Sequence, residues 1–314
     1  MSRKLRIGTR DSQLAVWQAT RVQQLLQQEG REAELVYMKS EGDVDLVTPL
    51  YAMGVQGVFT KTLDAALLNN RIDIAVHSMK DVPTKLAEGI RCAAVLERAS
   101  TSDILVYKKP EDLELIGYNG SWTNHSSGPF TVATGSVRRI AQWLHRFPGH
   151  RIEDLRGNVN TRLRKLSESD WNGAIFAAAG LERIGLRPPN AIELEWMIPA
   201  PAQGALLVVC RGNDDELLPF CAKLNDEHTA FSAKIERDFL SALMGGCSTP
   251  IGALAEIENE EVYFRGNLTS IDGKKQVSIE KNISVELAAS LGISAAHELL
   301  ESGGLEILNE IKNG

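Results

Sequence analysis

The sequence predicts an α/β protein: two α/β units followed by a small C-terminal α+β unit. Three observations carry this. Over the first two thirds, short apolar runs alternate with stretches of helical periodicity. That rhythm restarts near residue 102. After residue 250, three strand-like runs follow one another without a helix between them. The expected partition is residues 1–101 with 205–222, then 102–204, then 223–314.

The elements follow in order. Residues 5–8 read as a strand. A helix starts at about Ser12, with Leu14, Trp17, Val22 and Leu25 on one face and Gly30 as its stop. Strands follow at 33–39 and 72–77, the second alternating Ile72, Ile74 and Val76. Between them, Thr60 to Asn69 carries Leu63, Ala66 and Leu67 at helical spacing. These runs suggest parallel sheets.

In the second unit, strand 130–134 passes through Gly135-Ser136 into helix 137–147, and strand 174–178 leads through Gly180 into another helix. The stretch 116–129 (GYNGSWTNHSSGPF) is turn-rich and reads as an exposed loop. Helix 227–243 ends at Gly245-Gly246-Cys247. Strands at 251–258, 261–268 and 275–282 come next, and helical stretches 285–302 and 304–312 close the chain.

Composition narrows the function classes. A net charge of −7 is unlike a general nucleic-acid binder, so any anion site must be a local concentration of Arg and Lys. No apolar run approaches the ~20 residues that span a bilayer. The opening MSRKLRIGTRDSQ turns polar too soon for a signal peptide, which makes the cytoplasm the expected location. The four cysteines form no C-x-x-C, and neither a metal site nor a disulfide is expected.

Arginine is concentrated between residues 138 and 165: Arg138, Arg139, Arg146, Arg151, Arg156, Arg162 and Arg164, with Lys165. Arg138 and Arg139 fall in the first turn of the predicted helix, where the macrodipole disfavours cations by ~0.3–1 kcal/mol each. A bound anion reverses that cost. Thr134-Gly135-Ser136 adds hydroxyl and backbone N–H donors at the same helix start. Arg146, Arg151, Arg164 and Lys165 read as a solvated face, whereas Arg156 and Arg162, flanking Gly157-Asn158, fit either role.

His77-Ser78-Met79-Lys80-Asp81 follows a strand, where α/β sheets collect ligands. Asp81 there could hydrogen-bond a substrate N–H, steady a cation or move a proton. On the motif alone, a carboxylate capping a turn ahead of Pro83 is the simpler reading. His77 reads as structural. Cys92, Cys210 and Cys221 lie in apolar patterns and read as filling, while Cys247, between two glycines and Ser248, sits on a loop as an accessible thiol.

The runs IGTRDSQLA, TKTLDAALLNNRIDIAVHSMKDVP, VATGSVRR, LRGNVNTRLRKL, AGLERIGL, PAQGAL and GGCSTPIG, in this order from residue 7 to about 252, resemble the porphobilinogen deaminase (hydroxymethylbilane synthase) family. The resemblance implies two lobes like those of periplasmic binding proteins, plus a small domain carrying the cysteine. It implies stepwise condensation of four porphobilinogen units with loss of ammonia, on a dipyrromethane cofactor joined by thioether to Cys247, and release by water of hydroxymethylbilane. By motif match, Asp81 is the catalytic carboxylate beside an azafulvenium cation. Ser78, Lys80, Thr134, Ser136, Arg138, Arg139 and Arg162 hold cofactor carboxylates. Arg10, Ser12, Phe59, Arg156 and Arg183 serve substrate and growing chain.

The implied partner is porphobilinogen alone, with no nucleic acid and no membrane, on a monomer. Three positions depart from the family pattern: Gln56 for a lysine, Gly135 for a serine and Met244 for a glutamate. The rival readings are a two-lobed anion-binding protein without catalysis, and a cysteine hydrolase or acyltransferase.

Overall fold

The structure, a computed structural model, describes residues 3–39, 60–123, 128–245 and 249–313. Its strands are β1 (Leu5–Arg10), β2 (Ala33–Met38), β3 (Ile74–Ser78), β4 (Ile90–Leu96), β5 (Asp103–Tyr107), β6 (Thr131–Ala133), β7 (Arg151–Glu153), β8 (Gly173–Ala177), β9 (Ala191–Glu193), β10 (Leu206–Arg211), β11 (Ile251–Glu258), β12 (Glu261–Thr269) and β13 (Gln276–Ser284). The helices that matter below are α1 (Gln13–Gln28), α2 (Lys61–Leu68), α3 (Val137–Arg146), α4 (Val159–Glu168), α5 (Ala178–Glu182), α6 (Glu227–Ala242), α7 (Leu291–Leu299) and α8 (Leu305–Asn313).

Two five-stranded sheets, β2-β1-β3-β10-β4 and β7-β6-β8-β5-β9, share one topology. In each, four strands run the same way and the fourth in spatial order runs against them, so the expectation of parallel sheets is corrected to mixed sheets. The corresponding antiparallel strands are β10 and β5. β5 is the first strand after the chain leaves the first sheet, and β10 is the strand that brings it back. This reciprocity makes two α/β units joined by a double crossing. A third, antiparallel sheet, β11-β12-β13, packs with α6, α7 and α8 as the α+β unit.

Burial explains why these strands read as they do. In β10, Leu206, Val208 and Cys210 join one apolar cluster with α1, while Leu207 and Val209 join another with α2. Both faces are covered, so the run LLVVC is apolar throughout. Ile104 and Val106 in β5, against Leu105, show the same division in the second unit. β12 buries Val262, Phe264 and Leu268 but exposes Tyr263, the alternation of a sheet with one wet face.

Several expectations change. The buried stripe of α1 is Ala15, Gln18, Ala19, Val22 and Leu26, not Leu14, Trp17 and Leu25. Trp17 instead lies against the second unit, with the Arg183 guanidinium 5.7 Å from its ring centre. Ile72 precedes β3 and packs on the α2 side, away from Ile74 and Val76. The 116–129 stretch is packed in part: Ile116 is fully buried, and Trp122 touches Tyr118 and Trp196 and donates to the Glu193 carbonyl at 3.0 Å. Residues 124–127 lie outside the described set.

Arg146 is no solvated cation, since it stacks over Trp196, Phe147 and Trp122 and donates to the Thr123 carbonyl. Cys210 and Cys221 are buried filling, but Cys92 is exposed.

One buried carboxylate ties the three units. Glu236 on α6 is fully buried and accepts from Arg98 Nη1 and Nη2 at 2.7 and 2.9 Å, from the Ala202 N–H at 2.6 Å and from the Ala255 N–H at 2.8 Å. Breaking a buried pair by removing one partner costs about 3–5 kcal/mol. Glu236→Ala should lower the stability of the chain by that amount in denaturant unfolding. A change within about 0.5 kcal/mol, as for ordinary surface positions, would show that the junction carries no such load.

Candidate active site

Lys80 and Asp81 leave the carboxyl end of β3 in a single helical turn, Met79–Asp81. The third unit holds that turn in place. Arg237 on α6 donates to the carbonyls of Met79, Val82 and Pro83 at 3.3, 2.9 and 2.6 Å. Nothing in the sequence pattern singles out Arg237, because its contacts are to backbone atoms far along the chain. Ser78 Oγ accepts from Gln18 Nε2 at 2.8 Å, fixing the strand end against α1.

Facing this turn are residues of the second unit. Ser136 is the N-cap of α3 and makes no side-chain capping bond, and its N–H donates to Thr134 Oγ1 at 3.3 Å. A Cβ at Gly135 would stand 2.8 Å from the Leu155 carbonyl and 3.3 Å from Asp154 Oδ1. That close approach gives the departure from serine at this position a steric reason.

Arg138 and Arg139 follow, both almost fully buried. The anion their position demands is present inside the chain, and sequence reasoning missed it. Asp103, wholly buried at the start of β5, accepts from Arg138 Nη1 at 2.6 Å and from Arg139 Nε at 3.0 Å, with Arg139 Nη2 at 2.7 Å. Burial would raise the pKa of Asp103. The charges of both arginines and bonds from Arg138 and Gln203 outweigh it and hold the carboxyl well below the usual range.

Electrostatics join the two sides. Burial, then Arg139, pushes Lys80 down to about 8, against the opposing pull of Asp81 and Asp103. Burial, then Arg139, brings Arg162 down to about 10, with Asp81 opposing and Arg156 reinforcing. Arg139 is lowered by burial and by Arg138, with Asp103 and Asp81 acting against them. Lys80, Asp81, Arg138, Arg139, Arg156 and Arg162 therefore share one electrostatic neighbourhood, although they come from two units.

Other expected residues sit further apart in role. Arg10 ends β1 and, after burial, is the second cause holding the His77 imidazole down at about 4. Ser12 caps α1, accepting from the Ala15 N–H at 3.4 Å. Arg183 follows α5 and donates to the Gly204 carbonyl at 2.6 Å, and burial lowers it to about 10. Phe59, Gln56 and Cys247 lie outside the described residues. Met244 is exposed, with φ of 51° at the end of α6.

These residues suit a ligand rich in carboxylates. Among the described residues, cations outnumber carboxylates in the neighbourhood and depress one another, and Arg138 Nε is buried with no hydrogen-bond partner. A guanidinium N–H in that state is met well by a carboxylate oxygen. Four carboxylates on a dipyrromethane fit this donor set.

Losing a hydrogen bond to a charged group costs about 1.5–3 kcal/mol. Arg138→Leu should therefore reduce the yield of cofactor-bearing chain by about tenfold or more. Lys165→Leu on α4 should leave the yield unchanged. Intact mass of both variants decides, and equal yields would dissolve the link between Arg138 and the carboxylates.

Comparisons with known proteins agree on a family. A family model described as "Porphobilinogen deaminase, dipyromethane cofactor binding domain" matches residues 5–219, and "Porphobilinogen deaminase, C-terminal domain" matches 230–301. Among curated relatives, the "Porphobilinogen deaminase" of Chlorobium phaeobacteroides is 38% identical over 320 residues, covering 99% of both chains. That of Maridesulfovibrio salexigens is 39% identical over 313 residues, covering 98% of both. Among solved structures, an ABC transporter from Parabacteroides distasonis is similar at 11% identity and a TM-score of 0.43, covering 76% of this chain and 74% of its own. The two family models and the relatives span nearly the whole sequence, and the chain belongs to the porphobilinogen deaminase family.

Proposed function

We propose that this transferase uses Asp81 as its catalytic carboxylate and Cys247 as the attachment point of its cofactor. The family reaction condenses porphobilinogen units head to tail with loss of ammonia and yields hydroxymethylbilane. The observation that carries the assignment of roles is Asp81, from the first unit, standing in the field of Arg139 and Arg162 from the second.

The dipyrromethane, when bound, supplies the pyrrole carbon from which chain growth starts. Lys80, Arg138, Arg139 and Arg162 would hold its acetate and propionate groups, with Ser78, Thr134 and Ser136 as hydroxyl donors. Arg10, Ser12, Phe59, Arg156 and Arg183 would receive the substrate and the lengthening chain.

Asp81 has a distinct task. As ammonia leaves porphobilinogen, positive charge spreads over the methylene and the pyrrole nitrogen. A fixed carboxylate lowers the energy of that charge without reorganising at the moment of reaction. It also accepts a hydrogen bond from a pyrrole N–H, which aligns the ring.

No helix among the described residues is long and apolar enough to cross a membrane. The chain acts as a monomer in the cytoplasm, in this reading, with porphobilinogen as its partner. Unit boundaries at 101/102, 204/205 and 222/223 belong to the same proposal.

Denaturing mass spectrometry of freshly purified protein tests it. The intact chain should be heavier than its sequence by two condensed pyrrole units, and the peptide carrying Cys247 should bear them. An unmodified Cys247 in folded protein offered porphobilinogen would end the assignment.

A further inference from the structure

We propose that Gln203 and Asp103 are positioning residues of this carboxylate-binding site, locking Lys80 of the first unit and Arg138 and Arg139 of the second into one preset array of cations. The proposal rests on the reading of the site given above and extends it to the PAQGAL run, which that reading leaves without a role.

Gln203 is fully buried where the returning connection passes the outgoing one. The two connections bond to each other there: the Ala99 N–H donates to the Gly204 carbonyl at 3.2 Å, and Arg98 Nε donates to the Gln203 carbonyl at 2.7 Å. The Gln203 amide is used at both ends. Its Oε1 accepts from Lys80 Nζ at 3.1 Å, while its Nε2 donates to the Thr101 carbonyl at 2.7 Å and to Asp103 Oδ1 at 3.0 Å. An ammonium only donates and a carboxylate only accepts, so the amide has one orientation here. It bridges a cation of one unit to the buried anion of the other.

Asp103 completes the array. Its Oδ1 takes Arg139 and Gln203, and its Oδ2 takes Arg138. The bonds of Arg138 to Asp103 and to the Ile198 carbonyl both leave from Nη1, so the side chain is held while its buried Nε keeps a donor unspent among the described residues. Arg139 spends Nε and Nη2 on Asp103 and Nη1 on the Ile175 carbonyl.

Lys80, Arg138 and Arg139 otherwise repel one another in a buried place. With Asp103 and Gln203 between them, they are ordered before any ligand carboxylate arrives, which spares the ligand that ordering.

The test follows cofactor capture by the full chain, produced without a supply of porphobilinogen and then offered it. The rate of mass gain is read across pH, alongside the melting temperature before and after loading. In the parent, capture should fall as pH rises through about 8, where Lys80 loses its proton. Asp103→Asn should capture at least tenfold more slowly. Its alkaline loss should begin at lower pH, because one of the two charges that favour the Lys80 ammonium is gone and only that of Asp81 remains.

Gln203→Met fills the same space without an amide, and it too should capture at least tenfold more slowly while folding. It decides the matter if Asp103→Asn does not fold. Folded Gln203→Met gaining mass at the parental rate, or an Asp103→Asn pH profile identical to the parent's, overturns the proposal. Failure of both variants to fold leaves the pair a purely structural role and overturns it as well. A parent chain that gains no mass instead sinks the underlying reading of the site.

Discussion

Asp81→Asn should keep the full cofactor mass and turn over about 10²–10³-fold more slowly, the range found when one preorganised electrostatic stabiliser is removed. Asparagine matches aspartate in size and still offers an oxygen to a pyrrole N–H. What it lacks is charge. At an effective dielectric of about 20, opposite unit charges about 4 Å apart attract by about 4 kcal/mol. That is the stabilisation forfeited when ammonia departs.

Cofactor retention follows from the same geometry. The groups suited to its carboxylates are Lys80, Arg138, Arg139 and Arg162; losing the Asp81 charge disfavours the Lys80 ammonium, but the three guanidiniums stay charged and continue to hold the anions. The measurement is turnover per cofactor-bearing chain, with loading fixed by intact mass. Turnover within threefold of the parent would remove Asp81 from the chemistry, and a chain without cofactor would make it a loading residue.

The elements were legible wherever both periodicity and punctuation were local. α1 was bounded by Ser12 and Gly30, and the third unit by three strand runs without helices. Which face of α1 is buried was not legible, because Trp17 is used against Arg183 of the other unit, a contact that lies across 166 positions of sequence. Arg138 and Arg139 stand out because cations in the first turn of a helix call for an anion, and a local charge pattern shows that much. It could not name Asp103, a lone carboxylate opening an apolar strand 35 residues upstream.

Arg237 and Gln203 were hidden for a related reason. Arg237 donates to backbone carbonyls of the β3 turn, and Gln203 joins Lys80 to the Thr101 carbonyl and Asp103, partners that only the tertiary fold brings within reach. Arg146 shows the opposite error. A cation among cations looked solvated, but the aromatic residues that receive it come from 122, 147 and 196.

Cys247→Ala should remove the cofactor mass and all turnover, and no other cysteine should replace it. A thioether needs an accessible thiol that can become a thiolate. Cys210 and Cys221 are buried, and burial pushes Cys221 up to about 12. Neither can react without unfolding the first unit's core, to which both belong. Cys92 is exposed on β4, which makes it the fair competitor. Cys92→Ala should therefore keep the full mass and parental turnover, while Cys247→Ala offered porphobilinogen should stay at its sequence mass. If Cys247→Ala gained the mass and peptide mapping put it on Cys92, accessibility alone would govern attachment. Loss of mass confined to Cys247→Ala ties attachment to the Gly-Gly-Cys run that follows α6 in sequence, the helix whose Arg237 also holds the Asp81 turn.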